Sequence, residues 1–118
     1  MAWRVAIASI DGILITEHFG RSRFFYVVDI QRDGTAVPVD RRDVKPACGA
    51  GGHSDDGLDL VVSTLKDCAA VLVAKIGPGA QQLLQSRGIL AIGGPAVAEE
   101  AYKKLSEYYI RSKFPENA

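Results

Sequence analysis

Apolar residues in the first forty positions fall in short β-branched and aromatic runs, each closed by turn residues. Trp3 to Ile10 holds Val5, Ile7 and Ile10; it reads as a first strand, ended by the turn chemistry of Asp11-Gly12. Phe24 to Ile30 forms a second run (Phe24, Phe25, Tyr26, Val27, Val28). Arg32-Asp33-Gly34-Thr35 then reads as a hairpin turn into a third run over Ala36 to Val39, so the two are expected to pair antiparallel. Pro38 has no N–H to give a ladder, which places the third strand at a sheet edge. From Leu58 the period changes. Leu58, Val61, Val62 and Leu65 fall three and four apart, on one face of a helix reaching about Asp67, with Ser54, Asp55 and Asp56 suited to cap its start. Val71 to Ile76 is a continuous apolar run of the kind buried in a parallel strand. Gly77-Pro78-Gly79 turns it into a second helix carrying Ala80, Leu83 and Leu84, which Gly88 is placed to end. Ile89 to Ile92 reads as a fifth strand. Ala96 to about Arg111 reads as a third helix with Ala101, Leu105 and Tyr108 on one side. Residues 112–118 are expected to fray.

Three strands followed by helix, strand, helix, strand and helix predict an α/β fold, a mixed five-stranded sheet with a meander on one side and crossover units on the other. Right-handed crossovers put the fourth and fifth strands beyond the first, in the order 3-2-1-4-5. With three helices on its faces, this is a ribonuclease H-like, three-layer layout in one domain spanning 1–118. A chain of 118 residues, 47% hydrophobic and 24% charged, holds such a core without disulfides or a structural metal.

Charge and cysteine usage narrow the function. Fourteen Lys plus Arg balance fourteen Asp plus Glu, leaving no cationic surplus for general nucleic-acid binding. No apolar run approaches the ~20 residues that span a bilayer, and no basic stretch precedes an apolar signal core. A cytoplasmic protein without membrane contact is the expectation. Cys48 and Cys68 would then stay reduced and free to act as thiolate ligands.

Two constellations carry candidate chemistry. Glu17-His18-Phe19-Gly20-Arg21 lies between the first two strands. His18 can ligate a metal through a neutral ring nitrogen, Gly20 allows close backbone approach, and Arg21 adds a fixed charge for an anion. The plainer reading is that Phe19 anchors the loop in the core while His18 is merely exposed. Cys48-Gly49-Ala50-Gly51-Gly52-His53 sits in an aperiodic, glycine-rich stretch over 45–57 that reads as a loop. It offers a thiol and an imidazole suited to iron-sulfur, zinc or copper centres, with glycines such as Gly51 and Gly52 able to turn amides toward bridging sulfides. Here the plainer reading is a flexible connection with an incidental cysteine. Two ligands fall short of the four of a closed zinc site, so His18 plus another group would have to join Cys48 and His53. Gly77-Pro78-Gly79 lacks the Lys-Ser/Thr ending of a phosphate loop and reads as a structural turn. Cys68 reads as a small buried hydrophobe.

Together these segments resemble the dinitrogenase iron-molybdenum cofactor biosynthesis family. The resemblance runs from Arg4-Val5-Ala6-Ile7-Ala8 through His18-Phe19-Gly20-Arg21 and Cys48-Gly49-Ala50-Gly51-Gly52-His53. It continues over Leu65 to Val73, Ile76-Gly77-Pro78-Gly79-Ala80 and Leu84 to Ile89, covering residues 4 to about 92. The chain is most similar to a stand-alone form of the C-terminal domain of the radical enzyme that makes the cofactor precursor. The resemblance implies a ribonuclease H-like fold and a cargo of iron-molybdenum cofactor or its precursor iron-sulfur cluster, with a molybdenum-copper sulfide cluster as the alternative. It implies cofactor contact at His18, Gly20, Arg21, Cys48, Gly51, Gly52 and His53, with His18, Cys48 and His53 as metal ligands. Its partners would be cluster donors and acceptors; the helix after Ala96 lies beyond the resemblance, and its exposed residues would offer a partner surface.

The residues and the resemblance converge on a metallochaperone, a monomer or weak homodimer with no catalytic residue, which receives a metal-sulfur cluster and hands it on. Two enzyme readings fit less well. A two-metal nuclease needs carboxylates at strand ends, yet none occurs between Trp3 and Ile10. A thiol hydrolase using Cys48 with His53 would have little preorganisation on so many glycines. A protein-interaction module built on the last helix is the third alternative.

Overall fold

The computed structural model describes residues 2–45, 48–49, 52–53 and 55–113, with the backbone alone at 48, 49, 52, 53, 55 and 56. Its central strand is β1 (Trp3–Ile7). The strand stops three residues short of Ile10 because Ser9 and Asp11 take over the backbone. Asp11 Oδ1 accepts from the N–H groups of Ile13 and Leu14 at 2.9 and 3.1 Å, and Ser9 Oγ accepts from Gly12 N–H at 2.9 Å. Gly12 sits at φ 79°, a conformation that side chains with a Cβ resist. A strand of two residues, β2 (Leu14–Ile15), then pairs far along the chain with β9 (Ala96–Val97). Segments this short leave no period to read, and neither was expected as a strand.

β3 (Phe24–Ile30) matches its expected run and pairs antiparallel with β1, Trp3 opposite Ile30 and Ile7 opposite Tyr26. β4 (Ala36–Asp43) extends beyond Val39 into a polar stretch, with a bulge opposite Val27 and Val28. It lies at the sheet edge that Pro38 requires. After the short β5 (Cys48–Gly49) and β6 (Gly52–His53) comes α1 (Asp55–Thr64). The helix starts three residues before Leu58, so Asp55 and Asp56 lie inside its first turn, where acidic residues favour the helix dipole; Ser54 lies outside the described residues. β7 (Ala70–Val73) and β8 (Leu90–Gly93) follow in parallel to β1, giving the order β4-β3-β1-β7-β8. That is the predicted 3-2-1-4-5 arrangement, and the expected α/β class holds.

Between β7 and β8 runs α2 (Pro78–Ser86), ended by Gly88 at φ 75° while Ile89 N–H donates to Leu84 O at 2.9 Å. The last helix, α3 (Ala98–Ser112), begins two residues late because Ala96 and Val97 are spent on β9. It also takes in Ser112, expected in the frayed tail, whose Oγ donates to Tyr108 O at 2.8 Å; residues 114–118 lie outside the described residues.

Strand alternation divides the core. Ala6, Phe25, Val27, Val71 and Val73 face α1 and α2; Trp3, Val5, Ile7, Ile30, Ala70 and Leu72 face α3. The buried stripe of α3 is Ala98, Tyr102, Leu105 and Tyr109, with the Tyr109 ring 5.3 Å from that of Trp3. Tyr108, expected on the inner side, is 50% exposed. A 3.6-residue period leaves adjacent tyrosines both compatible with an inner face, and only the docked helix separates them. At the amino end of β1, Arg4 holds Asp29 and Asp67; Arg42, late in β4, also holds Asp67 and donates to Thr64 O at 2.8 Å.

Candidate functional site

The sequence brings its first candidate segment back to the carboxyl ends of β1 and β7. Glu17 N–H donates to Ala8 O at 3.2 Å, Ala74 N–H to Glu17 O at 2.9 Å, and Phe19 N–H to Lys75 O at 2.9 Å. His18 and Lys75 form an isolated parallel bridge. Residues 17–19 thus act as a short extra strand wedged where two parallel strands end, the place at which open α/β sheets leave a crevice.

From there Phe19–Arg21 makes a single 3₁₀ turn. Arg21 N–H donates to His18 O at 3.3 Å, and Ser22 Oγ donates to the same oxygen at 2.7 Å. Phe19 is buried 5.6 Å from the Phe25 ring and supplies the anchor expected of it. His18 and Arg21 are exposed, and Gly20 is half-buried between them. A backbone held this firmly presents His18 and Arg21 to solvent at a fixed place on the rim.

The glycine-rich stretch is not an unbroken loop. β5 and β6 form a two-residue antiparallel ladder with Cys48 opposite His53 and Gly49 opposite Gly52. Gly51 lies outside the described residues. β5 comes within 8 Å of the 3₁₀ turn, Cα to Cα. The fold therefore unites two candidate segments that the whole of the β3–β4 hairpin separates in sequence.

Cys68 stands elsewhere. It lies at the amino end of β7, 4% exposed, and burial pushes its thiol up to about 12, so it stays protonated and packs as the small hydrophobe expected. Gly77 is the N-cap of α2 with Pro78 in its first turn, the structural turn read from the sequence. Two residues of this rim escape the sequence reading, Arg23 and Lys75. Both are exposed; Arg23 follows Arg21 by one alternation of the chain, whereas Lys75 is brought beside His18 only by the fold. Among the described residues no group of three His, Cys, Asp or Glu side chains converges as a metal site; the side chains of Cys48 and His53 lie outside that description.

The chain resembles known proteins along most of its length. It is 36% identical over 103 residues to the FeMo cofactor biosynthesis protein NifB of Bradyrhizobium diazoefficiens, a match covering 87% of this chain and 19% of that protein. The chain therefore spans about a fifth of the length of this relative. Among solved structures, the crystal structure of PH0822 superimposes with a TM-score of 0.64 at 27% identity, over 89% of this chain and 90% of the other. The apo form of the orange protein from Desulfovibrio gigas gives a TM-score of 0.60 at 21% identity, over 98% and 93%, a likeness of fold. The family model described as dinitrogenase iron-molybdenum cofactor matches residues 1–108, and the chain belongs to that family.

Proposed function

We propose that this chain is a carrier in iron-molybdenum cofactor biosynthesis, which receives an anionic metal-sulfur cluster at the carboxyl edge of its sheet and passes it on. Family membership supports the role in cofactor biosynthesis. The observation that carries the site is the meeting of the Cys48–Gly49 strand with the turn over Phe19–Arg21 that follows His18. In this reading Cys48, His53 and His18 would be the metal ligands, Gly51 and Gly52 would offer backbone amides to the cluster, and Arg21 would balance its charge. Gly20 leaves room for close approach. Few protein ligands keep the cargo exchangeable, which suits transfer between a donor and an acceptor protein.

The test is anaerobic loading. The chain is incubated separately with iron-molybdenum, iron-sulfur and molybdenum-copper sulfide clusters, desalted, and assayed for bound metal and sulfide. Near-stoichiometric retention of one cluster is expected, with at least about a tenfold loss in Cys48→Ala and a smaller loss in His18→Ala. Retention should also weaken as the pH falls from neutral to mildly acidic, because protons compete with metal for thiolate and imidazole. Failure of every cluster to stay bound, or retention indifferent to Cys48, overturns the carrier reading.

A further inference from the structure

The cations around the sheet form two populations. Arg4, at the amino end of β1, and Arg42, late in β4, are engaged by Asp29 and Asp67. At the carboxyl end, Arg21, Arg23 and Lys75 are exposed, and among the described residues none is held in an ion pair or side-chain hydrogen bond. Arg21 and Arg23 open on one cavity of about 250 Å³, which Glu17 also lines. Lys75 is tied to the same rim by its bridge to His18. Three cations there face the carboxylates of Glu17 and, just beyond the cavity lining, Asp11, while the neighbouring Arg41 and Asp43 pair with each other, which leaves a local positive excess in a chain whose formal charge is zero.

Such charges contribute little to the fold, since exposed ions are well solvated. Gathered at a crevice, they raise the local concentration of an anion and can accelerate its arrival by roughly 10- to 1,000-fold, with steep salt dependence. Their field reaches about a Debye length, roughly 8–10 Å at physiological salt, and the β5 backbone lies within 8 Å of the turn that carries Arg21.

We infer that Arg21, Arg23 and Lys75 form a cationic rim that captures an anionic metal-sulfur ligand before it is ligated at the hairpin. The rim governs arrival, and the hairpin governs retention. This inference rests on the carrier reading for its ligand, yet the field itself can be measured without any cluster.

Cys48 serves as the reporter. Its thiolate attacks an aromatic disulfide, whose S–S bond breaks to release one aromatic thiolate as the mixed disulfide forms. The full chain is reacted with dianionic dithiobis(nitrobenzoate) and with neutral dithiodipyridine, at low and at physiological salt. Buried Cys68 stays silent, and Cys68→Ala confirms the assignment. In Arg23→Gln/Lys75→Gln the ratio of anionic to neutral rates should fall about 3- to 10-fold at low salt, and the difference should close as salt rises. Glu17→Gln should raise the ratio. A ratio unchanged in the double variant, or rates that fall equally with both reagents, overturns the rim. If the ratio responds while no cluster loads, the rim stands and the carrier reading falls; if clusters load while the ratio is unmoved, the reverse holds.

Discussion

Asp67 is the residue on which the amino end of the sheet closes. Arg42 donates to it from two nitrogens and Arg4 from a third, and the Arg42 hydrogen bond holds the Asp67 carboxyl well below the usual carboxylate range. The clamp ties β1, β4 and the end of α1 together. Its side chain is 39% exposed, so solvent screening reduces what the pairing contributes. Asp67→Asn should cost about 1–2 kcal/mol in urea unfolding at neutral pH. Because the folded-state pKa is depressed, that stabilisation is full above the unfolded carboxylate value of about 4 and is lost as the pH falls through the folded value. The gap between wild type and variant should therefore narrow below about pH 4. A gap that stays constant down to about pH 2 would show that Asp67 acts by packing alone.

At the scale of elements, two glycines end neighbouring structures for different reasons. Gly34 turns β3 into β4 at φ 89°, and a Cβ there would meet Lys103 Cγ at 2.8 Å and its Cα at 3.1 Å. Gly88 ends α2 at φ 75° with open space around it. Gly88→Ala should thus cost only the left-handed backbone, about 1 kcal/mol. Gly34→Ala adds a collision with the backbone of α3, and should cost at least about twice as much. Thermal unfolding of the pair decides it; equal losses would mean that the β3–β4 turn does not bear on α3.

For the molecule as a whole, α3 is the helix that covers the Trp3 face of the sheet. Tyr109, fully buried against Trp3, should cost about 3–5 kcal/mol on replacement by alanine, a large part of the roughly 5–15 kcal/mol a domain commands. Tyr108→Ala, at a half-exposed neighbour, should stay within about 1 kcal/mol. Denaturant titration of both variants checks which tyrosine faces the core, and similar losses would contradict the docking of α3.

Much of this architecture is legible in the sequence, because burial and hydrogen bonding are local enough to leave a period. Phe24 to Ile30 has its strand boundaries written in its aromatic and β-branched run, Pro38 marks an edge, and Gly88 marks a helix end. The order of elements, with right-handed crossovers, was enough to set the sheet order. Residue type alone singled out His18, Arg21 and the Cys48 to His53 stretch. Tertiary structure alone decided what meets. The pairing of β2 with β9 sets Leu14 opposite Val97, and no local pattern encodes so distant a partner. The placing of Lys75 beside His18 and the choice of Tyr109 over Tyr108 depend on how strands and helices close on one another, a matter of packing between segments that sequence periodicity does not carry.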